Sequence, residues 1–197
     1  MNSLSTRGGG PVTLDTALLD GLAADGGLYV PEHWPAFTLQ QFADARVLAD
    51  IAKIFLRPFF AGSRLEAELP AIVSEAFSFP IPTRVLPLEY GSASLLELFH
   101  GPTAAFKDVG ARFLAACLRR LRKGDPRPLT ILVATSGDTG AAVASAFDGL
   151  PGIRVVVLFP KGRVSPGRSG SSAAGVTTSC RWRCGARSMT ARAWSSR

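Results

Sequence analysis

From Leu129 onward the chain alternates between two kinds of apolar pattern, and this alternation limits the folds open to it. Leu129–Ala134 is a short run rich in Ile, Leu and Val, the pattern of a buried strand. The spacing predicts a helix over Ala141–Phe147 and a second apolar strand over Ile153–Phe159. A strand, a helix and a strand in this order form a crossover unit whose two strands run parallel. The fold class is therefore α/β. The pattern extends upstream: Arg84–Glu89 and Leu95–Phe99 read as strands around a Tyr90-Gly91-Ser92 turn. Val109, Phe113, Ala116, Cys117 and Leu121 make one apolar stripe of a helix that Asp108 suits at its N-terminus.

Residues 1–80 read as mostly helical. Leu14, Ala17, Leu18 and Leu22 mark one helical face, and Leu28-Tyr29-Val30 a short strand stopped by Pro31. Thr38 with Gln41 and Ser63 with Glu66 fit capping boxes. Val47, Ile51, Ile54 and Phe55 recur at helical spacing, and Ala71–Phe77 is a further helical stretch. Pro70 either opens that helix or kinks the one before it. Pro80, Pro82 and Pro87 punctuate a module boundary.

After Pro166 the pattern stops. Residues 167–197 hold seven Ser, six Arg and four Gly, with no acid and no Leu, Ile or Phe. Such a composition buries too little apolar surface to offset its ordering entropy, so disorder is expected. The net charge of +7 is concentrated there, and setting its six Arg aside leaves +1 for residues 1–166. Two readings compete. The change falls abruptly after a strand, in mid-fold, which favours out-of-frame translation of a GC-rich gene. The alternative is a non-catalytic binding protein whose Arg-rich tail contacts nucleic acid. No run of eighteen apolar residues could span a membrane, and no apolar N-terminal segment resembles a secretion signal, so a cytoplasmic location is expected. Cys180 and Cys184 lack the nearby His of a zinc site, so no metal is expected.

Two segments carry chemistry. In Leu98-Phe99-His100-Gly101-Pro102-Thr103-Ala104-Ala105-Phe106-Lys107-Asp108 a lysine stands where a strand gives way to a helix. Most lysines are solvated surface charges. A lysine held and partly desolvated at such a junction is a candidate amine nucleophile. In Ala134-Thr135-Ser136-Gly137-Asp138-Thr139-Gly140, hydroxyls, glycines and free amides gather between a strand and a helix. That grouping reads either as a cradle for a carboxylate or phosphate or as an ordinary capped turn. Sites in open α/β sheets gather at the carboxyl ends of strands. An amine beside an anion cradle describes a pyridoxal-phosphate site.

Four segments then resemble the bacterial threonine synthase family: Ser5-Thr6-Arg7-Gly8 followed by Gly21-Leu22-Ala23, Asp25 through Pro31, Glu97 through Asp108, and Thr130 through Pro166. The resemblance implies a helical N-terminal module over 1–80. Part of a fold-type-II pyridoxal-phosphate domain, similar to tryptophan synthase β, would follow over 81–166. Lys107 would hold pyridoxal 5'-phosphate and move protons, and Asp138 would stand near the cofactor's ring hydroxyl. Ser136, Gly137, Thr139 and Gly140 would bind the substrate, O-phospho-L-homoserine, which water converts to threonine and phosphate. Phe106 and Asp108 read as support for the lysine, and His100 and Tyr29 as packing groups. A full-length member would also have a C-terminal part supplying the phosphate cup and further strands of the sheet. Without it, the chain is expected to be inactive and Ile153–Phe159 to become an exposed apolar edge.

Overall fold

The computed structural model describes residues 1–135, 137–160 and 179–184. A short antiparallel sheet opens the chain. Strand β1 (Asn2–Ser5) pairs with both β2 (Val12–Thr13) and β3 (Tyr29–Pro31). Pro31 lies within β3 opposite Ser3, one residue beyond the stop expected of it. A proline is tolerated there because β3 is an edge strand at that end of the sheet.

The Thr6–Gly10 turn and the Asp25–Gly27 turn are tied together. Asp25 accepts hydrogen bonds from the Ser5 hydroxyl at 2.7 Å and from the amides of Gly27 and Gly9 at 2.8 and 3.1 Å. These contacts hold the Asp25 carboxyl below its ordinary pKa, the Ser5 bond being the largest cause. A side chain at position 27 would collide with the Ser5 hydroxyl.

Helices α1 (Leu14–Asp20), α2 (Leu48–Phe60) and α3 (Leu69–Ala76) follow. Thr13 caps α1 by accepting from the Thr16 amide at 3.2 Å. Thr38 and Gln41 bracket a single 3-10 turn, with the Gln41 side-chain Oε1 accepting from the Thr38 amide at 2.7 Å. Pro70 occupies the first turn of α3 and so opens a new helix, where its missing N–H costs no hydrogen bond.

Helix α4 spans Lys107–Leu121. Its apolar stripe completes a core of Ala52, Phe60, Leu65, Leu69, Ile72, Val73, Ala116, Cys117 and Leu121. Phe113 stacks on Phe77 and meets Phe60 edge-on, with ring centroids 5.8 and 5.9 Å apart. Burial in this core pushes the Cys117 thiol up to about 12. At the edge of the core Arg120 bridges Glu68 at 3.1 Å and Glu75 at 2.9 Å.

Strands β4 (Thr83–Val85) and β5 (Ser94–Leu96) form a two-stranded antiparallel ribbon. The strand expected through Glu89 ends at Val85, because Pro87 leads into a 3-10 turn over Leu88–Tyr90. Strands β6 (Leu129–Ala134) and β7 (Ile153–Pro160) then pair in parallel, Leu129 opposite Ile153 and Leu132 opposite Val156. Between them runs α5 (Asp138–Phe147), which starts three residues before the expected Ala141. It packs Ala142, Ala144 and Phe147 toward the buried Ile153, Val155 and Val157.

Two expectations are corrected here. Ser179–Cys184 forms β8, which pairs in parallel with β7 although it lies in the segment expected to be disordered. The remainder of residues 167–197 lies outside the described residues. The sheet order is β6-β7-β8, so β7 is the central strand and not an exposed edge. Backbone pairing needs no apolar side chains, which is why composition gave no signal for β8.

The described residues divide into two units. One is Met1–Ser78 with Phe113–Gly124, and the other is Phe79–Arg112 with the described residues from Asp125 onward. Helix α4 thus gives its first six residues to the second unit and its remainder to the first. Among the described residues no helix is long and apolar enough to cross a membrane.

Candidate functional site

Lys107 is the first residue of α4, and the loop from Gly101 to Phe106 determines how it is presented. That loop is built around Asp108, a carboxylate only 1% exposed. One Asp108 oxygen accepts from the Thr103 amide at 2.9 Å and the other from the Thr103 hydroxyl at 2.6 Å. Charge-assisted bonds of this kind offset the cost of burying a carboxylate. Gly101 lies directly beneath: a Cβ there would come within 2.5 Å of the Asp108 carboxylate. Ala104 takes up the remaining turn with φ of 54°, a left-handed conformation that costs a non-glycine residue roughly 1–3 kcal/mol.

The consequence for Lys107 is electrostatic. Its neighbouring acid is turned back into the loop. Among the described residues, Lys107 forms no ion pair or hydrogen bond through its side chain. Its Nζ lies 4.0 Å from the centroid of the exposed Phe106 ring, within cation–π range. Lys107 is half-buried, and no acid among the described residues pairs with its amine.

Upstream, His100 Nε2 lies 2.6 Å from a Glu97 oxygen, and the Arg84 guanidinium lies 3.4 Å from the other. The hydrogen bond from His100 is the largest cause holding the Glu97 carboxyl below its ordinary pKa, with the Arg84 charge adding to it. His100 also lies against Phe99, ring centroids 4.7 Å apart. It therefore braces the approach to the loop.

The second segment begins α5. Gly137, Asp138, Thr139 and Gly140 are consecutive at the helix start, with Gly137 as N-cap, while Ser136 lies outside the described residues. Thr135 closes the turn: its hydroxyl accepts from the Gly137 amide at 3.0 Å and donates to the Gly137 carbonyl at 3.2 Å. The Gly137 amide is therefore already used, and the Gly140 amide is turned to the Gly137 carbonyl at 3.2 Å. Neither of these two amides is therefore open to an anion at this helix start. Gly140 is buried, and a Cβ there would come within 2.6 Å of Thr135 Cγ2 and 2.9 Å of Val157 Cγ1. Glycine at 140 is accounted for by close helix–strand packing.

Among the described residues, no hydrogen bond or ion pair joins Lys107 to Gly137, Asp138, Thr139 or Gly140. No group of three or more His, Cys, Asp or Glu among them could hold a metal ion. Sequence reasoning passed over Gly101, Thr103 and Thr135 as site-builders. Their signal lay in spacing, since a hydroxyl five residues before a buried acid can close a loop onto it.

Comparison with known proteins agrees with the residue pattern. Residues 3–77 match the family model described as threonine synthase N terminus. Threonine synthase of Escherichia coli is 45% identical over 159 residues, covering 79% of this chain and 36% of its own length. That of Haemophilus influenzae is also 45% identical, over 162 residues, covering 79% of this chain and 35% of its own. The chain therefore spans about a third of the length of these relatives. The crystal structure of the E. coli threonine synthase superposes with a TM-score of 0.82 over 94% of this chain and 43% of that one, at 37% identity. A threonine synthase from Brucella melitensis with bound PLP (pyridoxal phosphate) superposes with a TM-score of 0.81, at 36% identity over 93% of this chain and 41% of that one.

Proposed function

The chain belongs to the threonine synthase family, whose N-terminal part it carries, and we propose that it contributes the amine and the anion-binding turn of that family's reaction. The reaction is conversion of O-phospho-L-homoserine and water to L-threonine and phosphate. The observation that carries this reading is the state of Lys107, a half-buried amine whose adjacent carboxylate is bound to Thr103.

The residues present fit pyridoxal 5'-phosphate in one respect, the acid-free amine. When bound, that cofactor supplies the electron sink that allows the substrate to lose its γ-phosphate. Lys107 would hold the cofactor through Nζ and afterwards carry a proton on the same atom. Asp138 would lie near the cofactor's ring hydroxyl. Ser136, Gly137, Thr139 and Gly140 would form the substrate's anion site. Asp108, Thr103 and Gly101 would keep the amine presented.

A cytoplasmic location belongs to the same proposal. The relatives named above lend no support to the competing nucleic-acid reading.

Trapping tests the assignment. The purified chain is incubated with pyridoxal phosphate, reduced with borohydride and mapped by peptide mass. Label concentrated on Lys107 and lost in Lys107→Ala is the expected result. Label spread evenly over Lys53, Lys107 and Lys123 would overturn it.

A further inference from the structure

Among the described residues two glycines lie inside helices, Gly110 in α4 and Gly140 in α5, and they differ. Packing accounts for Gly140, since a Cβ there would meet Thr135 and Val157. Gly110 has no such account. A Cβ at this exposed position would meet no atom within 4 Å among the described residues, and its φ is not in the left-handed region. Glycine is the poorest helix former after proline, so it costs stability relative to alanine here. Neither backbone conformation nor packing offsets that cost at 110.

The place of Gly110 in the helix supplies a reason. It stands three residues after Lys107, so the two share one face of α4. Helical side chains lean toward the N-terminus of their helix. A side chain at 110 would therefore lean over the turn that begins at Lys107. The amine already has the Phe106 ring on one side, with Nζ 4.0 Å from its centroid. A bulky group at 110 would narrow the approach from a second side. A Cβ alone would not touch Lys107, so the clearance serves what comes to the amine and not the lysine itself.

We propose that Gly110 is a specificity-determining residue for Lys107: the missing side chain sets the size of carbonyl compound that reaches Nζ. It admits a planar ring carrying a phosphate group, where a longer side chain would pass only small aldehydes. The inference rests on the site reading above, in which Nζ takes up pyridoxal phosphate.

Labelling with two aldehydes tests it. The purified chain is treated in parallel with pyridoxal phosphate and with acetaldehyde, each in the presence of cyanoborohydride. Each aldehyde condenses with the amine and loses water, and hydride from the reductant converts the C=N bond to a stable secondary amine. Peptide mass mapping gives the ratio of the two labels at Lys107, with Lys53 as internal reference. Gly110→Leu and Gly110→Gln should each lower the pyridoxal phosphate to acetaldehyde ratio at Lys107 about tenfold. Gly110→Ala should lower it less. The thermal midpoint should stay the same or rise in all three, because each replacement is a better helix former.

A ratio unchanged in Gly110→Leu and Gly110→Gln would overturn the proposal. So would an equal fall with both aldehydes, which would mean that the lysine itself had moved. A fall with Gly110→Leu alone would also overturn it, because bulk and not polarity is the stated cause. The ratio at Lys107 is read whether or not that lysine is labelled ahead of Lys53 and Lys123. Even spread of pyridoxal phosphate in the unsubstituted chain would refute the site reading, while the change in ratio still decides the role of Gly110.

Discussion

The two units solve the problem of burial differently. In the first, Phe60, Leu65, Ile72 and Val73 of one stretch of chain close around Ala116, Cys117 and Leu121 from α4, and all are buried. In the second, among the described residues, the fully buried side chains lie mainly on α5 and β7, while the ribbon stays exposed. The first unit has the enclosed core that independent stability demands. The second, among its described residues, sets helix α5 against a parallel sheet. The candidate lysine belongs to this second unit, at the start of the helix whose later turns fill the core of the first.

Substitutions can break that contrast. Phe60→Ala should cost about 3–5 kcal/mol, because a large ring at the centre of the core leaves a cavity. Thermal or urea unfolding measures it, and a loss below about 1 kcal/mol would mean that the first unit has no enclosed core. The Cys117 thiol offers a second readout in a Cys180→Ser, Cys184→Ser background. It should resist alkylation until this core opens, because burial keeps it protonated at neutral pH.

Gly140→Ala should cost about 1–3 kcal/mol by forcing Thr135 and Val157 apart. A neutral outcome would show that even the closed face of the second unit is loosely packed. Thr103→Val should cost about 1–2 kcal/mol, since it removes a hydroxyl from the buried Asp108 carboxylate. It should also alter the rate of Lys107 trapping, which Val85→Ala should not.

Acid unfolding distinguishes the units by pH. Asp25 in the first unit and Glu97 in the second both titrate below their ordinary values of 3.8 and 4.5. The unfolded chain binds protons more readily than the folded one at these sites. Their stabilisation is therefore present above those ordinary values and lost as pH falls through the folded ones. Asp25→Asn and Glu97→Gln should each flatten the acid limb of stability measured by circular dichroism. No flattening with Asp25→Asn would remove the hydrogen-bonded latch from the account of the first unit. The smallest effect is expected at the ribbon, where Val85→Ala should change stability by less than about 0.5 kcal/mol. A larger loss would mean that the ribbon is already packed in the isolated chain.

Much of this was legible in advance for identifiable reasons. Ile, Leu and Val runs around a short helix dictated the parallel β6–α5–β7 unit, because periodicity reports burial directly. Lys107 and the turn at residues 137–140 stood out because a lysine at a helix start and a run of hydroxyls and glycines at another are residue types read directly from the sequence. The end of β4 at Val85 and the early start of α5 were less legible, since boundaries depend on caps and turns a residue or two long. β8 was invisible, because it is held by backbone pairing with β7 and its composition is that of a loop.

The sequence by itself determined the fold class, the family and the candidate lysine, because these reside in local pattern and in residue type. Only the tertiary structure decided why Asp108, the acid beside that lysine, does not pair with it. Asp108 is its neighbour in sequence, but the carboxylate turns back to Thr103 because Gly101 leaves room for it and the loop bends left-handed at Ala104. The orientation of a buried charge depends on where donors converge in space, and adjacency along the chain does not specify that.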